Sequence, residues 1–308
     1  MNRPPAITID DGVRQRLTLR FGDGIESWFA ELPAVLNAFA ERWHLALDST
    51  IPRGSVSVVI RCRLEGTLPA VLKVSPDHAR LAFEAAALGT WQTVHSPSVL
   101  AVDESVGALL IEAVDPGTAL VESAAYPTLD SIAELLIALH TTGVPDQSYP
   151  SLAHRVAYLF DSSAKLYHKN PALAEVVPRE VYERGRQLAL RLTWEGAPNV
   201  LLHGDFTPSN ILDGGEGRGL VAIDPAPCLG DPAFDTIDLL CWQADDADVV
   251  AERAERLAPA IGVPAGRLLD WCTAFAGMTA LDIADSSPHS YALIRSFVAL
   301  ASDGGREH

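Results

Sequence analysis

The spacing of apolar residues changes period along the chain, and the changes divide it. From Glu26 to Trp43 the residues Trp28, Phe29, Leu32, Val35, Leu36, Phe39 and Trp43 recur three, four and seven positions apart, one face of a helix. Pro33 lies inside that stripe and predicts a kink or a late start. Upstream, residues 7 to 21 alternate only weakly, the pattern of a short strand or an arm. The period then shortens. Val56 to Cys62 and Pro69 to Val74 are β-branched, apolar runs joined by the hairpin-like Leu64-Glu65-Gly66-Thr67, and Val99 to Val102 and Ala108 to Glu112 repeat the pattern around a turn. Asp77 to Val94, between the pairs, reads as a helix. A Pro-Gly break at 113–117 is the best linker in the chain and places a boundary after residue 114. A sheet-rich first part, 1–114, is therefore expected to precede a mainly helical second part, 115–308.

In the second part Leu129, Ile132, Leu135, Leu136 and Leu139 have helical spacing, closed by Gly143 and Pro145. Amphipathic helices are expected over 152–165, 178–192, 233–242, 246–257, 265–284 and 290–301. His140, His154 and His168 lack ligand spacing and read as surface or capping residues. One stretch breaks the helical pattern. Short apolar runs, Val200 to Leu202, Ile211 to Leu212 and Leu220 to Ile223, carry His203, Asp205, Asn210 and Asp224 at their ends. The glycine-rich 214–219 lies between two of these strands, so it reads as a hairpin tip and not as a phosphate loop. Downstream, Asp231 is placed as a helix N-cap with Pro232 at the first helical position, and Asp235 as a cap for loop N–H groups.

Composition narrows the functional classes. The chain has 308 residues, 48% of them hydrophobic and 20% charged, enough for a large buried core, and no apolar run approaches a membrane span. The start lacks the apolar core of a signal peptide, so a cytoplasmic protein is expected. Four scattered cysteines, Cys62, Cys228, Cys241 and Cys272, without a Cys-x-x-Cys pair argue against zinc or a disulfide framework and read as reduced, mostly buried thiols. A formal net charge of −17 repels nucleic acid and anionic membrane and attracts cationic ligands, although acidity also serves solubility. A monomer that takes a small, cationic substrate is the default expectation.

The chemistry lies in the interrupted stretch. A carboxylate at Asp205 can accept a proton from an attacking hydroxyl or orient it, while the amide of Asn210, five residues on, can turn toward a hard cation and Asp224 can add an anionic ligand. An amide, a carboxylate and substrate phosphates are what Mg²⁺ accepts. Earlier in the chain, Lys73 stands in the middle of an apolar strand, where a charge is costly unless paired, and Glu84 on the following helix is its partner of choice over a lysine that snorkels from an edge strand. The turn at Gly54, Ser55 and Ser57 has small residues that let backbone N–H groups approach phosphates, a weak signal alone. Asp282 and Asp285, three apart on one helical face, are placed to receive ammonium groups or to form a solvated face.

The Asp-x-x-x-x-Asn spacing and the later Asp are those of the kinase catalytic loop, with His203-Gly204-Asp205 in place of His-Arg-Asp. Together with Ala70-Val-Leu-Lys73-Val, Leu109-Leu-Ile-Glu112, Asp115-Pro-Gly117 and Gly230-Asp231-Pro-Ala-Phe-Asp235, they make the chain resemble the aminoglycoside and hydroxyurea phosphotransferases, most closely the streptomycin 6-phosphotransferase branch. The resemblance implies an α+β, protein-kinase-like fold of two lobes, the first an antiparallel sheet with helices, the second mostly helical with a catalytic hairpin. It implies ATP and Mg²⁺ as cofactors. Lys73 would contact the ATP phosphates, Glu84 would orient it, backbone groups at Glu112 and Val114 would meet the adenine, Asp205 would be the base, and Asn210 and Asp224 would hold the metal. The expected activity is ATP-dependent phosphorylation of an aminoglycoside hydroxyl. A kinase of another small hydroxyl compound and a nucleotide-binding pseudokinase are the competing readings.

Overall fold

The computed structural model describes residues 7–54, 56–142, 149–196 and 198–303. Ser55, Gly143 and Pro145 lie outside the described residues. The chain divides into two compact units, the first ending at Gly117 and the second beginning at Thr118.

The first unit opens with two helices, α1 (Asp11–Phe21) and α2 (Glu26–Arg42). Helix α1 replaces the expected strand or arm. Its apolar signal is faint because only Val13 and Leu17, four residues apart, are buried; Asp10 caps it by accepting the N–H groups of Gly12 and Val13. Helix α2 runs through Pro33 without ending, with Phe29, Leu32, Leu36 and Phe39 on its buried face.

Five antiparallel strands follow: β1 (Leu45–Ile51), β2 (Val58–Leu64), β3 (Leu68–Val74), β4 (Val99–Asp103) and β5 (Ala108–Glu112), in the order β1-β2-β3-β5-β4. The hairpin at residues 64–68 turns on Glu65 and Gly66, both in the left-handed region at φ 51° and 72°. Strand β3 is central, pairing Lys73 with Val59 on one side and with Leu109 on the other. Period-two alternation then separates the faces. Ala70, Leu72 and Val74 join the buried apolar faces of α1 and α2, which leaves Lys73 on the opposite face. Helix α3 (His78–Trp91) follows β3 and packs on β4 and β5.

The second unit is built on α4 (Leu129–His140), α5 (Leu152–Ser163), α6 (Lys165–Lys169), α7 (Leu173–Val176) and α8 (Arg179–Leu192), then four short strands, β6 (Val200–Leu202), β7 (Ile211–Asp213), β8 (Leu220–Ala222) and β9 (Cys228–Gly230). It closes with α9 (Ile237–Cys241), α10 (Ala247–Ile261), α11 (Ala265–Ser286) and α12 (Tyr291–Asp303). Strands β6 and β9 pair, as do β7 and β8. Helix α11 is the hub: its Trp271 and Phe275 stack edge-on against Phe234, and Phe275 also meets Phe160 of α5. Gly185 lets α8 approach α11 closely, since a Cβ there would lie 2.4 Å from the Ala274 carbonyl oxygen. All four cysteines are buried as free thiols, and burial pushes the Cys62 thiol up to about 11. Among the described residues no helix is long and apolar enough to cross a membrane.

Candidate active site

In the first unit the Lys73 Nζ lies 2.5 Å from Glu84 Oε1, both side chains all but excluded from solvent. Because β3 has hydrogen-bonded neighbours on both sides, an edge-strand lysine reaching for water is ruled out. The buried carboxylate fixes the direction in which the ammonium stands on its strand.

The turn before β2 is held by its carbonyls. Arg16 of α1 donates through Nε to the Gly54 oxygen at 3.1 Å and through a terminal nitrogen to the Pro52 oxygen at 2.5 Å, and Ser75 Oγ donates to the Val56 oxygen at 2.6 Å. Gly54 is required there because a Cβ would sit 2.0 Å from the Ser57 carbonyl oxygen, and the Ser57 side chain is buried. At the end of β5 the N–H groups of Glu112 and Ala113 are donated to Ser98 and Pro69, while the Glu112 carboxylate accepts the Ser98 N–H. The sheet is followed by Val114 and a cis Asp115-Pro116 bond.

In the second unit the loop after β6 is fixed from beneath. The buried Asp235 accepts the N–H of His203 at 2.8 Å on one oxygen and that of Gly204 at 2.9 Å on the other, with His140 Nε2 donating to it at 3.0 Å. Burial opposes its ionisation, but the hydrogen bond and charge of His140, the charge of His203 and the Gly204 N–H outweigh it and hold the carboxyl below the usual aspartate range. The capping role expected of Asp235 is thus present in the geometry, whereas His140 departs from its reading as a surface or capping residue. It lies in helical phase with the buried Ala133 and Leu136, and that phase was the signal in the sequence.

Asp231 caps the turn Pro232–Thr236 through the Ala233 N–H and also accepts from Arg267 Nε and Trp271 Nε1, each at 2.7 Å. The same network extends the loop to the Asp224 segment. His203 Nε2 donates to the Ile223 oxygen at 2.9 Å, Ile223 N–H to the Asn210 oxygen at 2.8 Å, and Ala226 N–H to the His203 oxygen at 2.9 Å. Gly204, at φ 74°, leaves no room for a side chain, because a Cβ would stand 2.1 Å from the Ala226 oxygen.

Asp205 and Asn210 meet within this network, and Asp224 follows directly on Ile223, whose N–H is bound to Asn210. Asn210 Nδ2 donates to the Asp205 backbone oxygen at 2.9 Å and to its Oδ2 at 3.1 Å, which turns the amide oxygen away from Asp205. Asp224 adopts φ 58°, the left-handed region that an aspartate enters at a cost, and such positions cluster where chemistry is done. An amide oxygen and a carboxylate form the hard donor set of Mg²⁺. A residue outside the sequence reading completes the loop: Arg155 of α5 donates through Nε to the Gly204 oxygen at 2.7 Å and through a terminal nitrogen to Asp205 Oδ1 at 3.0 Å. Its signal was an arginine in phase with Leu152, Val156 and Phe160 on an apolar stripe.

Asp238 lies within electrostatic range of the loop and of Asp282. Although Asp238 reaches solvent, protein crowds it, and lost hydration followed by the Asp205 and Asp235 charges pushes its pKa up to about 7. Asp282, on α11, is raised to about 6 by lost hydration and the charge of Asp285. Asp285 itself lies 3.7 Å from Lys169. Asp238→Asn tests the sign. A folded pKa above that of the unfolded chain means that ionisation burdens the fold, increasingly from about pH 4 until about pH 7 and fully above it. The variant is therefore expected to gain melting temperature over the wild type at pH 8.5 and to match it near pH 4, as read by thermal denaturation.

A model of the aminoglycoside/hydroxyurea antibiotic resistance kinase family matches residues 42–286. Streptomycin 6-kinase of Streptomyces glaucescens is 27% identical over 287 residues, spanning 88% of this chain and 89% of that protein. Hydroxyurea phosphotransferase of Kitasatospora aureofaciens is 30% identical over 258 residues, spanning 82% and 74%. Among solved structures, an aminoglycoside phosphotransferase in ternary complex with AMP-PNP and hygromycin B aligns with a TM-score of 0.60 at 16% identity, over 89% of this chain and 99% of that one. Choline kinase LicA of Streptococcus pneumoniae aligns at 0.59 and 12% identity, over 88% and 98%. At these identities the solved structures report the fold, and it is the kinase-like α+β fold implied by the motifs.

Proposed function

Because the chain belongs to the aminoglycoside/hydroxyurea antibiotic resistance kinase family, we propose that it transfers the γ-phosphoryl group of ATP to a hydroxyl of a streptomycin-like aminoglycoside and so confers resistance. Use of a nucleotide and O-phosphoryl transfer to a small molecule come with the family; the acceptor, the metal and the residue roles are the proposal. The observation that carries it is the Asp205 carboxylate, one oxygen on Arg155 and the other on Asn210, in a unit where Asp238 and Asp282 add negative charge. A carboxylate-rich surround suits an acceptor that carries ammonium or guanidinium groups.

Asp205 aligns the acceptor hydroxyl. As the new bond from acceptor oxygen to the γ-phosphorus forms, the bond from that phosphorus to the bridging oxygen breaks, ADP departs, and the hydroxyl proton passes to Asp205. Lys73, oriented by Glu84, grips the nucleotide phosphates, with the turn at Gly54, Ser55 and Ser57 beside them and backbone groups of Glu112 and Val114 at the adenine. Asn210, through its amide oxygen, and Asp224 would hold Mg²⁺, which supplies charge neutralisation on the phosphates when bound. The 30% identical hydroxyurea phosphotransferase keeps a second acceptor class open, a small uncharged hydroxyl compound.

The test is ADP release with Mg²⁺ and ATP across streptomycin, other aminoglycosides, hydroxyurea, amino sugars and amino alcohols. Turnover concentrated on streptomycin-like acceptors supports the proposal, and turnover on uncharged acceptors alone replaces it with the second. In the same assay Asp282→Asn is expected to raise KM for the cationic acceptor several-fold with KM for ATP unchanged. Asp285→Asn should do less, since Lys169 already engages that carboxylate.

A further inference from the structure

We propose that Arg155 is a positioning residue for phosphoryl transfer, holding the Asp205 carboxylate in the orientation that receives the acceptor hydroxyl; the inference rests on Asp205 being the catalytic aspartate. The Arg155 side chain is only 10% exposed and stands on the apolar stripe of α5, where an unpaired guanidinium would be costly. Its planar fork spans two consecutive residues, taking the backbone oxygen of Gly204 and the side-chain oxygen of Asp205. Both ends of that span are anchored. Gly204 is fixed by Asp235, and the start of α5 is fixed to β9, where the Leu229 N–H is donated to Pro150 and Ser151 bridges Leu229.

With Arg155 on Oδ1 and Asn210 on Oδ2, the carboxylate plane is set by one donor on each side, and each oxygen keeps a lone pair for the substrate. A carboxylate plane fixed from both sides aims its free lone pairs at one position. That suits a loose transition state, in which the hydroxyl proton leaves late and alignment matters more than proton abstraction. Removing the guanidinium releases the plane and so lowers kcat with little effect on nucleotide binding.

The test measures ADP release from Mg²⁺ and ATP, with streptomycin and with water alone as acceptors, so that the effect is readable in either. Arg155→Ala is expected to lower kcat by roughly 10²-fold with KM for ATP within about twofold, and millimolar guanidinium to restore part of the rate. Arg155→Lys, which keeps the charge but loses the fork, is expected to fold normally and lose roughly tenfold in kcat. If Arg155 acts through Asp205, Asp205→Ala/Arg155→Ala is no slower than Asp205→Ala alone. Losses that multiply in the double variant, or a folded Arg155→Lys with wild-type kcat, overturn the inference. Full activity in Asp205→Ala would instead overturn the reading of the loop itself.

Discussion

Asp205→Ala is expected to lower kcat by roughly 10²–10⁴-fold, the range that a positioned general base contributes, while leaving KM for ATP within a few-fold of the wild type. The split follows from where the residue is held. Its carboxylate is one-third exposed and belongs to the second unit, whereas the lysine proposed to grip the phosphates belongs to the first. Truncating it removes the proposed acceptor of the hydroxyl proton but leaves the backbone network intact, because Asp235 holds His203 and Gly204, and Asn210 keeps its bond to the residue 205 carbonyl oxygen. The fold is therefore kept, but the variant should melt below the wild type, because the Arg155 guanidinium, 10% exposed, is left with the Gly204 carbonyl oxygen alone. Steady-state kinetics together with a melting curve decide it: a well-folded variant with near-normal kcat removes Asp205 from the chemistry.

The largest stability effect is expected at Lys73. Lys73→Met leaves the Glu84 carboxylate without its closest charge partner in a site where both side chains are under 5% exposed, and breaking a buried pair from one side costs about 3–5 kcal/mol. Activity should fall with it. The informative variant is Lys73→Met/Glu84→Leu, in which neither charge is buried. Replacing both partners of a buried ion pair by apolar residues of similar volume is often neutral or stabilising, so the double variant should recover most of the lost stability. It should recover none of the activity, because the ammonium proposed to grip phosphate is gone. Denaturant unfolding followed alongside ADP release separates the two; a double variant as unstable as the single one would mean that packing, and not charge, is what Lys73 supplies.

The residues proposed to carry the chemistry stood out in the sequence because each breaks a local rule. A lysine in an apolar strand demands a partner, and Glu84 was the acidic residue that the next helix offered. A histidine, two aspartates and an asparagine at the ends of short apolar runs have no use in a core. The elements that were missed break no rule strongly enough. Helix α1 buries only Val13 and Leu17, so its period is hidden among polar residues. Strand β1 lies at the edge of the sheet and carries a register irregularity between Leu47 and Ser49, which interrupts the period-two signal. Arg155 and His140 had their signals, a polar residue in phase with a buried stripe, but their partners lie 50 and 95 positions away, and no local pattern announces such a distance.

The close approach at Gly204 restricts how this loop can change. Kinases of the His-Arg-Asp type carry an arginine at the corresponding position, yet here any side chain would drive into the Ala226 carbonyl and displace the segment that follows Asp224. A single exchange toward arginine is thus closed to this chain, and a guanidinium reaches the aspartate from a helix instead. Residues 203–210 and 223–226 consequently form one transplantable unit: a loop graft that carries the first without the second would bring a glycine whose reason for being there has been left behind.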